Sequence, residues 1–177
     1  SQKAKESIDA PSIVINNWYP PKIEGKRSTG NDYLLAVGRL EKVKGFDLLI
    51  QSWVNIKENL IIIGSGKEYD SLINLITKHN LDKKIKIINE MSQEELIDYY
   101  KNASMLVISS RSEGGPRVAL EALYQEIPVI STNVGHMPEI LPKELLAEPN
   151  NLDSLKELVE TYAGNKNYSQ ESIYQYV

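Results

Sequence analysis

The stretch MLVISSRSEGGPRVALEAL, residues 105–123, decides the fold. Met105, Leu106, Val107 and Ile108 form an unbroken apolar run, the pattern of a strand buried on both faces of a parallel sheet. Gly114, Gly115 and Pro116 then turn the chain. A proline costs no hydrogen bond in the first helical turn, so the spacing predicts a helix starting at Pro116, with Gly115 or Gly114 as its cap. Val118, Ala119, Leu120, Ala122 and Leu123 continue that helix. A glycine turn from strand end to helix start leaves backbone N–H groups converging on one spot, which suits an anion. Glu113 lies in the turn itself, and Glu121 about one and a half turns into the helix. Two carboxylates beside an anion site are electrostatically awkward unless hydroxyls donate to them. A ligand with a diphosphate and sugar hydroxyls, such as a sugar nucleotide, supplies both needs.

The same alternation extends in both directions. Upstream, strands are expected at residues 12–16 (SIVIN), 33–37, 60–63 and 85–88. Phe46, Leu49, Ile50 and Trp53 recur at helical spacing after the first glycine loop, and Leu72, Leu75 and Ile76 do so after Gly64-Ser65-Gly66. Ser92 and Glu95 form a capping-box pattern, with Leu96 and Tyr99 on the helix behind it. Downstream come a strand at 127–131 entered by Pro128, and a loop from Gly135 into a short helix. An edge strand at 145–148, an amphipathic helix over 151–162 and a last helix over 169–176 follow. Strand–helix alternation through about six units gives an α/β fold, an open parallel sheet with helices on both faces. The loops after the strands then gather on one edge, where such sheets bind ligands.

The chain has 177 residues, a net charge of −4, no cysteine and two histidines. That length supports one domain with a real core. The acidic balance argues against nucleic acid as a partner. Disulfide and thiolate chemistry are excluded, and two histidines with no matching acid spacing give no metal site. No apolar run approaches the roughly 20 residues of a membrane span, and residues 1–10 lack the core of a signal peptide.

Gly64-Ser65-Gly66 starts like a dinucleotide fingerprint, but Tyr69 stands where its third glycine belongs, so an ordinary tight turn is the better reading. Arg39 and Lys44 flank a loop on the edge of the anion site. Solvated charge is their plain reading; two cations neutralising a diphosphate is the functional one. Arg117 is either a surface residue or a further phosphate or carboxylate contact.

Arg39, Lys44-Gly45, Gly64-Ser65-Gly66, Glu113-Gly114-Gly115-Pro116, Glu121-Ala122-Leu123, Pro128-Val129 and Gly135 with Pro138-Glu139 stand in a recognisable order. That ordered set resembles the retaining glycosyltransferases of the GT-B fold, family 4 in particular, from about residue 32 to 141. The resemblance implies a Rossmann-like, donor-binding, carboxy-terminal half of a two-domain enzyme. Arg39 and Lys44 match the cation pair on the donor diphosphate. Glu113 matches the acid near the donor sugar, giving Glu113, Arg39 and Lys44 as catalytic candidates. Glu121 matches the acid that binds the ribose hydroxyls. Gly114, Gly115, Pro116 and Arg117 match the backbone around sugar and phosphate, and Ile88 and Asn89 the segment beside the base. The family generally needs no metal and no other cofactor. The chain departs from the family at Gly115, where an aromatic is usual, and at Glu126, Asn89-Glu90 and His136, where glycines are common.

Further expectations follow from that resemblance. Residues 1–31 form the crossover from a missing domain, 32–165 the nucleotide-sugar domain, and 166–177 a helix packing towards the missing half. The whole enzyme is expected to move a sugar, with retention of configuration, from a nucleotide diphosphate sugar to a glycan or lipid-linked acceptor bound by that half, as cytoplasmic polysaccharide biosynthesis, with the missing domain placing it at the inner face of a membrane. This chain alone binds donor weakly and transfers nothing. A non-catalytic nucleotide-sugar or glycan-binding module of the same fold is the alternative.

Overall fold

The computed structural model describes residues 33–163. The strand expected at 12–16, the crossover over 1–31 and the tail helix lie outside the described residues.

The strands are β1 (Tyr33–Val37), β2 (Asn59–Ile63), β3 (Ile85–Ile88), β4 (Met105–Ile108), β5 (Val129–Thr132) and β6 (Leu146–Ala147). The helices are α1 (Phe46–Ser52), α2 (Tyr69–Lys78), α3 (Gln93–Asn102), α4 (Arg117–Tyr124), α5 (Met137–Ile140) and α6 (Leu152–Tyr162). Every neighbouring pair of strands is parallel, and the sheet order is β3-β2-β1-β4-β5-β6. β4 and β5 are buried along their whole length, as their apolar runs require for strands covered on both faces.

The chain steps outward from β1 to β3, crosses back, and steps outward again from β4 to β6. Right-handed crossovers in opposite directions put their helices on opposite faces. Accordingly α1 packs between α2 and α6, while α3 and α4 are joined by a hydrogen bond from Tyr100 to Glu121. The core between these layers includes Trp53, Leu34, Leu106 and Ile130, all fully buried.

Helix ends follow local chemistry. Ser92 Oγ accepts from the Glu95 N–H at 3.3 Å, and the Glu95 carboxylate accepts from the Ser92 N–H at 2.9 Å, closing the capping box at α3. α4 ends on Glu126, which adopts the left-handed region at φ 62°. The Glu126 N–H donates to Leu123 O and the Ile127 N–H to Ala122 O, the paired bonds of a left-handed helix stop. Glycine is the residue such a stop favours.

Three expectations need correction. Pro116 has an extended ψ of 104°, so it caps α4 and Arg117 is the first helical residue. β5 begins at Val129 because Pro128 has no N–H for the ladder, although its carbonyl accepts from Leu106. The edge strand β6 is shorter than residues 145–148, since Lys143–Leu145 forms a 3-10 turn instead. Tyr99 lies on α3 as expected, half-buried against the core, and α3 also buries Tyr100, at 1% exposure. Both lie near one turn from Leu96, and the contact with α4 selects the later one for full burial.

Candidate functional site

The carboxyl ends of all the strands emerge on one edge, and the strand order reverses between β1 and β4. The loops leaving those two strands, residues 38–45 and 109–116, border the crevice where open α/β sheets bind ligands. Lys44 Nζ donates to Glu113 Oε1 across that crevice, and Ser110 Oγ donates to the same oxygen at 2.8 Å. The Lys44 and Glu113 side chains are 20% and 15% exposed. Beneath them Val37, Phe46, Val107 and Val118 help bound a recess of only about 10 Å³. The ion pair therefore has an apolar floor and is stronger than a fully solvated pair.

Backbone contacts hold this pair in place. Lys42–Lys44 is a 3-10 turn whose carbonyls are all taken by the loop after β4. The Arg111 N–H donates to Val43 O at 2.7 Å, Arg111 Nη1 to Lys42 O at 2.6 Å, and Ser109 Oγ to Lys44 O at 2.9 Å. Arg111 also grips the Asp47 carboxylate with bonds of 2.8 and 2.9 Å, and its Nε donates to Asn150 Oδ1 at 2.9 Å. Burial alone would push Asp47 up, but hydrogen bonds from Arg111 and Lys42 overcome it and hold the carboxyl at about 2. Thr132 Oγ1 donates to Ser110 O at 2.7 Å, tying the end of β5 to the same loop.

Two glycines permit the close packing of these loops. Gly45, at φ 67°, lies so near β4 that an added Cβ would sit 2.0 Å from Ser109 O. Gly135, at φ 55°, would place a Cβ 2.5 Å from Gly114 O and 2.8 Å from Glu113 O. Neither position accepts a side chain without moving the backbone that carries Glu113. Gly64 likewise backs onto Gly38 O and Gly66 onto Leu40 O, so Gly64-Ser65-Gly66 lets neighbouring loops pack, and the hydrogen-bonded turn follows it, the Tyr69 N–H donating to Gly66 O at 3.2 Å.

Glu121 is 8% exposed on α4. Its Oε2 accepts from the Tyr100 hydroxyl at 3.1 Å. Burial, and beside it the Glu121 carboxylate, push the Tyr100 phenol well above its ordinary value, so it stays a proton donor.

The structure thus brings Lys44, Glu113, Gly114, Gly115 and Pro116 to the β1/β4 crevice, with Glu121 on the helix that leaves it. Other expected residues stand apart. Arg39 is 72% exposed on the same loop as Lys44 and pairs with Glu41 at 2.9 Å. Its neighbour Leu40 is fully buried and anchors the loop inward, which turns Arg39 to solvent. Arg117 is 68% exposed and 4.0 Å from Glu121, a surface position at the helix start. Ile88 is half-buried at the end of β3, and Asn89 beyond it is exposed. His136 pairs with Glu139 at 3.3 Å.

Ser110, Arg111 and Tyr100 escaped the sequence reading. Ser110 stands three residues before Glu113, a reach that could have flagged it. Arg111 finds Asp47 64 residues away, for which no local pattern exists. A roomier recess of about 380 Å³ lies at the opposite edge, among Tyr33, Asn59, Leu60 and Lys84. It is made from strand starts and their lysines, without the loops that converge at the strand-order reversal. Among the described residues no group of three or more His, Cys, Asp or Glu is placed to hold a metal ion. No helix among them is long and apolar enough to cross a membrane.

A six-stranded parallel sheet in this order, with its polar cluster at the β1/β4 reversal, defines a Rossmann-like domain of the GT-B type. The chain belongs to the glycosyl transferases group 1 family, whose sequence model matches residues 22–176. An uncharacterized glycosyltransferase of Methanocaldococcus jannaschii is 36% identical over 167 residues, covering 91% of this chain and 46% of the relative. The chain spans less than half the length of the first curated relatives it matches. Among solved structures, S. aureus TarM in complex with UDP superposes with a TM-score of 0.78 at 17% identity, over 98% of this chain and 40% of that one. The C-terminal domain of a glycosyl transferase group 1 family protein from Francisella tularensis superposes with a TM-score of 0.66 at 22% identity, over 81% of this chain and 87% of that domain.

Proposed function

We propose that this chain is the donor-binding half of a glycosyltransferase that moves a sugar from a nucleotide diphosphate sugar to a hydroxyl of a glycan or lipid-linked acceptor, with retention of configuration. The observation that carries it is the Lys44–Glu113–Ser110 cluster, set at the strand-order reversal of a family domain. In this reading the donor diphosphate meets Lys44 and the backbone of Gly114 and Gly115 at the start of α4. Arg39, on the same loop, supplies the second cation. When the bond from the sugar carbon to the diphosphate oxygen breaks, charge grows on the departing diphosphate, and Lys44 and the α4 N–H groups stabilise it there. Glu113, fixed by Lys44 and Ser110, accepts from a donor-sugar hydroxyl. Glu121 accepts from the ribose, with Ile88 and Asn89 beside the base. These groups need no metal, because the cations and backbone amides already meet the diphosphate charge.

The acceptor half belongs to the rest of a longer protein, in keeping with relatives about twice this length. The chain alone then binds donor and transfers nothing. Calorimetric titration with UDP, GDP and ADP tests the reading. One nucleotide should bind selectively, and Lys44→Ala should weaken it by about tenfold or more, the scale of a charged contact. Binding that Lys44→Ala and Glu121→Ala leave untouched would refute it. Sugar transfer by this chain alone would refute the division of labour.

A further inference from the structure

Glu121 is half-finished as a hydrogen-bonding group. A carboxylate only accepts, and burial makes each unmet oxygen costly. Oε2 is met by Tyr100, whose ring is 1% exposed at the end of α3. Oε1 has no hydrogen bond among the described residues; Arg117 Nη2 stands 4.0 Å away, too far for one. The phenol cannot give up its proton, because burial and the neighbouring carboxylate hold it in the protonated form. It therefore stays a donor to Glu121 Oε2 and limits how the carboxylate can turn. One oxygen is anchored by the protein, and the other is left for a donor from outside.

We infer that Tyr100 is a positioning residue that makes Glu121 a reader of ribose hydroxyls, and so sets the discrimination of ribonucleotide from deoxyribonucleotide donors. The inference rests on the donor reading above. Without the phenol hydroxyl, Glu121 can rotate and either oxygen can turn to water. Its contact with a hydroxyl is then neither aligned nor exclusive. Removing the hydroxyl leaves Oε2 unmet and costs some stability, but the ring of Tyr100 still fills the core, and the ratio of affinities for ribose and deoxyribose forms reads recognition separately from that cost.

The 177-residue chain is titrated by calorimetry with UDP, GDP and ADP, then with the 2′-deoxy and 3′-deoxy forms of the tightest binder. The wild type should penalise loss of the recognised hydroxyl by about 10- to 100-fold, the value of a hydrogen bond to a charged group. Tyr100→Phe should cut that penalty to about threefold or less, because an unanchored carboxylate loses most of the bond. Tyr100→Met, which also fills the space without a hydroxyl, should do the same. Glu121→Ala should abolish the discrimination, and adding Tyr100→Phe to it should change nothing further, because Tyr100 acts through Glu121. Discrimination that survives Tyr100→Phe and Tyr100→Met but not Glu121→Ala would overturn the inference and leave the donor reading standing. A wild type that binds no nucleoside diphosphate, or is indifferent to both hydroxyls, would overturn the donor reading and this inference with it.

Discussion

The Asp47–Arg111 clamp makes a pH-dependent contribution whose sign and size follow from its geometry. Asp47 falls from an ordinary value of 3.8 to about 2 in the folded chain. A folded-state value below the unfolded one stabilises the protein above about pH 4, and that stability is lost as pH falls through about 2. A drop of nearly two units corresponds to roughly 2.5 kcal/mol at 1.36 kcal/mol per unit. Asp47 is partly open to solvent, so screening reduces this to about 1–2 kcal/mol. Urea denaturation of wild type and Asp47→Asn, followed by circular dichroism from pH 7 to pH 2, isolates the term, since the other carboxylates titrate in both. At pH 7 the variant should be less stable by at least that amount, because Arg111 loses its bidentate partner while only 19% exposed. The difference should shrink by about 1–2 kcal/mol between pH 4 and pH 2. A difference that stays constant over that interval, or is absent at pH 7, would refute the reasoning.

Gly135→Ala should lower stability by about 2 kcal/mol, from its left-handed backbone and the contact with Gly114 O, whereas Gly114→Ala opens into free space and should cost far less. Equal unfolding midpoints for the two would contradict the packing described for these loops. Glu126→Gly should raise stability by about 0.5–1 kcal/mol, since the φ of 62° suits glycine at a helix stop; a lowered melting temperature would count against it. Trp53→Phe should cost about 1–3 kcal/mol, because it opens space in the core and strands Glu58 O, now bonded by Trp53 Nε1 at 2.8 Å. Chemical denaturation should show the loss, and an unchanged midpoint would deny that bond its weight.

Most of the sheet was legible because its strands are short apolar runs between glycine turns, and β1, β3 and β4 fall where those runs do. The capping box at Ser92 was legible because both partners lie three residues apart. The glycine-to-glutamate departure at residue 126 marked a real backbone demand, for the chain there is left-handed. The crevice was legible in outline, since loops after parallel strands must share an edge. Its internal wiring was not. Arg111 reads in sequence as one more charge in a polar loop, and its partners Asp47 and Asn150 lie 64 and 39 residues away. Tyr99 and Tyr100 are adjacent and equally apolar, so helical spacing alone could not say which one meets Glu121. Arg39 and Lys44 look equivalent in sequence, but in the fold Arg39 pairs with Glu41 at the surface while Lys44 reaches Glu113 across the crevice.

Lys44 and Glu113 are 69 residues apart in the chain, with β2, α2, β3 and α3 all lying between them. Such a contact is entropically slow to close, and it forms only when the crossover from β3 to β4 has docked. On the donor reading proposed above, ligand recognition in this domain is therefore a late event in folding. Refolding followed by nucleotide binding should lag behind refolding followed by helix signal. During synthesis on the ribosome, a chain that has already built β1 to β3 and their helices remains blind to its ligand until α4 has been made.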